Sequence, residues 1–300
     1  MKQSAYGKII LLGEHAVVYD KKGIAMPLKS LKVTSQVKES TLNTIETSDY
    51  HGRMEHAPFE YHNLLKLIHA LKKELRIDQV HITLESNFLP YAGLGFSASA
   101  AASLTKALYQ YAHQPLNHNA LFNWIQYAEK LAHENPSGID ASTVISETPL
   151  VFQKSKQVMP FDMKIEGYLV IAYSGIQGST KDAVKSIAEN INTSKTHIDS
   201  LGHLTEKGLK AIQNNDIEAL GNVMNEAHEH LIKLHVSHEV LDKLVTQSLH
   251  HGAIGAKMSG GGLGGVMIAL CTDLNNANHV KLELEKQAPK VWIEQLRSVL

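Results

Sequence analysis

Cysteine is nearly absent from the chain, with one residue, Cys271, in 300. An internal disulfide is thereby excluded, and a reducing compartment, the cytoplasm, is the expected setting. Cys271 ends the apolar run Gly265-Val-Met-Ile-Ala-Leu-Cys, so a core thiol is expected there rather than a nucleophile. Surplus charge of either sign is also lacking: 29 Lys and Arg against 30 Asp and Glu leave a net charge of −1. That balance offers nothing to nucleic acid or to an anionic membrane. No apolar run is long enough to cross a bilayer, and the N-terminus lacks the apolar stretch of a signal peptide. There is no internal repeat, no low-complexity tail, no His-Glu-x-x-His pattern and no Gly-x-x-x-x-Gly-Lys-Ser/Thr loop. Histidine, by contrast, is plentiful. Its densest group, His228, His230, His235 and His238, matches no ligand spacing and is expected on a solvated helix face. What remains, at 43% hydrophobic and 20% charged residues, is a soluble globular chain of one large domain or two ordinary ones.

Glycine is concentrated rather than scattered. The stretch Pro90-Tyr-Ala-Gly-Leu-Gly-Phe-Ser-Ala-Ser follows an alternating strand pattern from Val80 to Glu85 and precedes an Ala-rich run, Ala98 to Ala112, that reads as a helix. Gly93 and Gly95 therefore sit where a strand turns into a helix N-terminus. The first N–H groups of a helix have no internal partner and carry partial positive charge. Glycines let an anion approach them, and Ser97 and Ser99 can cap or donate, so the stretch alone reads either as a phosphate cradle or as a Gly-rich turn with a Ser cap and no ligand. A second cluster, Gly260 to Gly265, has five glycines in six residues between two strand-like runs. A hairpin turn would manage with one or two. A third pair, Gly7 and Gly13, brackets the buried-strand run Ile9 to Leu12, with Lys8, Glu14 and His15 at its ends. Charges beside a buried strand are costly unless paired or functional, although strand ends are often solvated.

Elsewhere, Lys32 to Val37 alternates as a strand, and Leu42 to Thr47 looks like its antiparallel partner. Helical spacing marks Phe59 to Leu75 and Asn119 to His133, the latter broken by Asn135 and Pro136. Glu129 lies on the flank of that helix's apolar face, and Asp140 follows the break. Either carboxylate alone reads as a solvated charge or an N-cap. A soft boundary near Leu150 to Pro160 divides the chain into residues 1–155 and 156–300.

Taken in order, the segments from Gly7 to His15, Pro90-x-x-Gly-Leu-Gly-x-Ser, and Lys257-Met-Ser-Gly-Gly-Gly-Leu-Gly-Gly resemble the three-motif signature of the GHMP kinases. That family is named for galacto-, homoserine, mevalonate and phosphomevalonate kinases. The motifs span nearly the whole chain. Gly13-Glu-His-Ala-Val-Val-Tyr and the stretch from Glu129 to Asp140 are most similar to the branch acting on mevalonate. Galactokinases continue Gly-Glu-His with Thr-Asp-Tyr, and phosphomevalonate kinases typically read Gly-Glu-Tyr.

The resemblance implies an α+β, two-domain fold. The N-terminal domain would be like the second domain of ribosomal S5, and the C-terminal one would pack helices on an antiparallel sheet. It implies ATP and Mg2+ as cofactors and mevalonate as substrate, without nucleic acid or membrane, and leaves a homodimer open. Asp140 would be the base acting on the C5 hydroxyl, with Lys8 beside it. Ser97 and Glu129 would hold Mg2+. Pro90, Ala92, Gly93, Leu94, Gly95, Phe96, Ser97, Ala98 and Ser99 would wrap the ATP phosphates, supported by Gly260, Gly261 and Gly262. Glu14 and His15 would lie beside the hydroxy-acid end of the substrate. One departure stands out: the family usually reads Gly-Leu-Gly-Ser-Ser, and Phe96 replaces the first Ser. Ser99 or water would have to stand in for that hydroxyl. The open alternatives are another kinase of the family, or a nucleotide-binding regulator without turnover.

Overall fold

The structure, a computed structural model, describes residues 1–132 and 138–297. The expected helix end at His133 and the break at Asn135 and Pro136 lie outside the described residues.

In chain order the first elements are β1 (Lys2–Leu12), β2 (Gly23–Glu39), β3 (Thr44–Glu46), β4 (His51–Arg53), α1 (His62–Leu75), β5 (Val80–Ser86), α2 (Phe96–Tyr111), α3 (His118–Ala132) and α4 (Ile139–Ile145). They are followed by β6 (Leu150–Phe152), β7 (Met159–Pro160), β8 (Gly167–Tyr173), α5 (Thr180–Glu189), α6 (Ile191–Gln213), α7 (Ile217–Lys233), α8 (Glu239–His250), β9 (Gly255–Ser259), β10 (Val266–Cys271), α9 (Leu274–Leu284) and β11 (Lys290–Leu296).

These elements form two compact units that are not the two halves of the sequence. Unit 1 comprises Met1–Lys8, Pro27–Pro90 and Gly95–Glu147; unit 2 comprises Ile9–Met26, Tyr91–Leu94 and Thr148–Leu300. In unit 1, Val33 to Glu39 of β2 pair antiparallel with β5. The short β3 pairs in parallel with β5 and antiparallel with β4. This corrects the expected pairing of the Leu42–Thr47 segment with β2. β5 occupies that edge, and the pattern of so short a strand does not choose between neighbours. The helix α2 is buried on nearly every side, from Ala98 through Leu108. Its alanines and serines let neighbours come close, and one of them, Ser103, shares a buried hydrogen bond with Ser35 at 2.8 Å. A helix without a polar face belongs in a core, and α2 packs there against α1, α3 and α4.

In unit 2, the antiparallel sheet runs in the order β11-β8-β10-β9. Every residue of β9 and β10 is buried, including Cys271. Helices α7, α8 and α9 cover this sheet, as expected for helices on an antiparallel sheet. Where α7 crosses β9, Gly221 and Gly255 meet backbone to backbone: a Cβ on Gly221 would lie 2.7 Å from the carbonyl oxygen of Ile254. Alanine at a helix interior normally gains about 1 kcal/mol over glycine. Here overpacking against a backbone, typically about 1–3 kcal/mol, outweighs that gain. Gly221→Ala should therefore lower the urea midpoint, and an unchanged or raised midpoint would refute the close approach.

Candidate active site

The segments singled out in the sequence form one polar cluster in each unit. In unit 1 the organising element is the N-terminus of α2. Gly95 is its N-cap, at φ +75°, with no side-chain hydrogen bond closing the helix end. The stem of Lys8, from β1, runs across this glycine: a Cβ on Gly95 would lie 2.6 Å from Cγ of Lys8. The Lys8 ammonium, itself buried, is 3.0 Å from Oδ1 of Asp140 in the first turn of α4, whose N-cap is Gly138 rather than Asp140. Asp140 is about one third exposed, so one partner is held inside and the other faces outward. Glu129 on α3 is buried, not a solvated charge.

The remaining cradle residues divide. Ser97 is exposed on the first turn of α2, and Phe96 beside it packs edge-on against Phe88, with ring centroids 5.8 Å apart. Ser99 is fully buried, and its hydroxyl donates to the carbonyls of Tyr6 (2.6 Å) and Gly95 (2.8 Å). This corrects the expectation that Ser99 faces a phosphate or stands in for the serine missing at Phe96. Its only donor is committed to tying β1 to α2. Ala98 is likewise buried.

In unit 2, Tyr91 to Leu94 carry Ala92 and Leu94 fully buried, with Gly93 exposed at φ +84°. Gly260, at φ +88°, follows β9, and a Cβ on either Gly93 or Gly260 would meet no described atom within 4 Å. Both glycines thus present bare backbone to open space. Gly261 and Gly262 differ: a Cβ on Gly261 would collide with Oγ1 of Thr180, and one on Gly262 with the Val236 carbonyl. Leu263 donates its amide to that same carbonyl at 2.8 Å, which anchors the glycine loop to the α7–α8 connection. The carbonyl of Ala92 approaches this loop at Gly265.

Glu14 and His15 follow β1 in a tight turn. The Ala16 amide donates to the Glu14 carbonyl at 2.6 Å, which puts His15 at φ +61°, a strained conformation for a non-glycine residue. Glu14 is ion-paired with Lys257 of β9, and neither side chain is more than 1% exposed. Lys257, whose role the sequence pattern did not reveal, also donates to the Met258 carbonyl at 2.6 Å. Burial pulls its ammonium below the usual range, and Glu14 opposes that. Burial first and the Lys257 charge second push His15 down to about 4, while a hydrogen bond with the Gly261 backbone works the other way. At neutral pH the His15 imidazole is therefore uncharged.

Among the clustered histidines, His228 corrects the expectation of a solvated face. It is buried, accepts the Met258 amide at 3.4 Å, and lies 3.3 Å from Asp242, which accepts from the Ser237 hydroxyl at 2.5 Å. Burial pushes it down to about 4 despite Asp242. His230 instead meets His197 of α6, ring nitrogen to ring nitrogen, at 2.9 Å.

The family described as "GHMP kinases N terminal domain" matches residues 62–147, and "GHMP kinases C terminal" matches residues 209–290, together more than half of the chain. The chain belongs to the GHMP kinases and is an ATP-dependent small-molecule kinase. Mevalonate kinase from Aeropyrum pernix is 29% identical over 286 residues, covering 90% of this chain and 88% of its own. The crystal structure of mevalonate kinase from Staphylococcus aureus MRSA252 superposes with a TM-score of 0.81 at 28% identity, covering 98% of each chain. That of L. major mevalonate kinase in complex with R-mevalonate superposes with a TM-score of 0.87, covering 99% of this chain and 96% of that one. At 22% identity it is a likeness of fold.

Two expectations follow from the site. Ser99→Ala should cost about 1–2 kcal/mol of stability in urea unfolding while leaving the KM for ATP unchanged, because its hydroxyl serves the β1–α2 junction. A raised KM for ATP at unchanged stability would return Ser99 to the cradle. His15 and His228 both drop from 6.5 to about 4 on folding. Between those values the unfolded chain binds more protons, so stability falls as pH is lowered through that window. Urea midpoints should drop between about pH 7 and about pH 5, and His228→Gln should flatten the drop. An equal drop in that variant would remove His228 from the effect.

Proposed function

We propose that this kinase transfers the γ-phosphate of ATP to the C5 hydroxyl of (R)-mevalonate, giving 5-phosphomevalonate and ADP. The observation that carries the chemistry is the Lys8–Asp140 pair, 3.0 Å apart, with the Lys8 stem lying across the open N-terminus of α2. The substrate is supported by the name shared by the relatives above and by the Gly-Glu-His text ending in His15.

Phosphoryl transfer demands positioning and charge stabilisation more than covalent help from the protein. The free N–H groups at the start of α2 suit phosphate oxygens, and within unit 2 so does the bare backbone at Gly93 and Gly260. Asp140, steered by Lys8, takes the proton from the C5 hydroxyl. The ammonium of Lys8 steadies negative charge on the transferring group. A loose transition state asks little basicity of the carboxylate. Ser97 and Glu129 are the oxygen donors that would hold Mg2+, a hard cation that on a nucleotide needs only one or two protein oxygens besides phosphates and water. Bound there, it would neutralise phosphate charge. Glu14 and His15 meet the hydroxy-acid end of the substrate.

The test is ADP release with Mg2+-ATP against mevalonate, 5-phosphomevalonate, homoserine and galactose. Turnover with mevalonate alone is expected; turnover with another of the four would overturn the substrate. In the same assay Asp140→Ala should lose about a hundredfold or more in kcat while ATP binding, read by titration, is retained. Unchanged turnover would remove the base.

A further inference from the structure

Two histidines of unit 2 meet in a way that the site described above does not use. His197 on α6 and His230 on α7 are 33 positions apart in the chain, yet their Nδ1 atoms lie 2.9 Å from each other. Both residues are half-buried. The ring centroids are 5.2 Å apart and the planes are inclined at 50°, so the rings meet nitrogen to nitrogen and are not stacked. One ring donates Nδ1–H and the other accepts it. A bond between two uncharged imidazoles adds little to what water offers each ring alone. Burial first and the His197 ring second pull His230 below its ordinary value, so this imidazole is uncharged at neutral pH.

An uncharged imidazole is also the form that ligates metal. Two nitrogens bound at about 2.0–2.1 Å to one tetrahedral ion stand about 3.3 Å apart, with their ring centroids about 5.2 Å apart. His197 and His230 already have that ring separation. Ligation asks each ring to pivot until its nitrogen points at a common centre, without moving the helices. The proton of the donating ring passes through water from Nδ1 to Nε2, so each ring keeps one proton and both Nδ1 lone pairs face the ion. Among the described residues no group of three or more His, Cys, Asp or Glu side chains is placed to hold a metal. Water therefore fills the remaining positions, with exposed Glu226, four residues before His230 on the same face of α7, as the carboxylate that could join.

We propose that His197 and His230 form a two-histidine site for a borderline divalent transition-metal ion such as Zn2+, which clips α6 to the last turn of α7. Imidazole nitrogen suits such ions, whereas Mg2+ takes oxygen, so the site is separate from the nucleotide's metal and independent of the substrate. Its place in unit 2 gives it leverage. α7 ends at Lys233, and Val236 just beyond accepts the Leu263 amide of the glycine loop. An ion on His230 fastens the helix end from which that loop is held.

The experiment titrates the full chain with Zn2+ by calorimetry, without nucleotide and with excess Mg2+ to compete at oxygen sites. It is repeated for His197→Gln, His230→Gln and His279→Gln, the last taken from a comparison pair, His251 and His279, whose rings meet edge to face at 5.5 Å. The parent should show one tightest site per chain. Each variant of the proposed pair should bind there about tenfold or more weakly, having lost one of two protein ligands, and His279→Gln should match the parent. Zn2+ should also raise the urea midpoint of the parent and of His279→Gln but not of the other two, because an ion held by the folded pair favours the folded state. Absence of saturable binding, an affinity unmoved in both pair variants, an equal loss in His279→Gln, or a midpoint that rises alike in all four proteins would mean binding by scattered surface histidines only, and overturns the proposal.

Discussion

Much of unit 1 depends on one ion pair that cannot form unless a side chain is missing elsewhere. Lys8 reaches Asp140 by running its stem over Gly95, through space a Cβ would occupy. The glycine therefore answers two demands at once. It takes the left-handed conformation that starts α2, and it leaves room for the lysine. Ser99, one turn later, fastens that helix to β1 through the Tyr6 carbonyl, two residues before Lys8. Strand, helix end and the start of α4 are thereby held in one arrangement, and the ammonium is delivered to a fixed position.

Unit 2 solves a different problem. Its lysine is fully buried, and a buried ion pair seldom repays its desolvation unless its remaining groups are also bonded. Lys257 meets that condition, with Glu14 and the Met258 carbonyl as acceptors. Glu14 and His15 each keep one buried polar atom without a partner among the described residues, and such atoms mark where a structure is arranged for something other than its own stability.

The parts legible in the sequence were those decided locally. Glycines at positive φ, the strand-to-helix passage at Gly95 and the helical spacing of Phe59 to Leu75 each depend on a few neighbouring residues. The three motif segments could therefore be recognised as a set, and the placement of helices on an antiparallel sheet followed from the resemblance. What stayed hidden depends on partners far along the chain. Lys257 and Glu14 are 243 positions apart, and nothing near either announces the other. His228 looked like one of a polar group because Asp242 and the β9 backbone, which bury and bond it, belong to later elements. Ser99 could be assigned to a ligand only while the Tyr6 carbonyl was out of view. The assignment of Ile9–Met26 and Tyr91–Leu94 to the same unit as the last half of the chain is likewise a matter of packing, which no composition shift records.

The glycine contact between α7 and β9 bears on how unit 2 assembles. Where backbone meets backbone, as at Gly221 and Gly255, there is no side chain to slide or repack, so a helix displaced by one residue meets a collision rather than a poorer fit. Docking of α7 is then close to all-or-none. Amide exchange in α7 and β9 would be governed by a shared opening event, and the sheet edge that carries Lys257 would become uncovered only when the helix leaves as a whole.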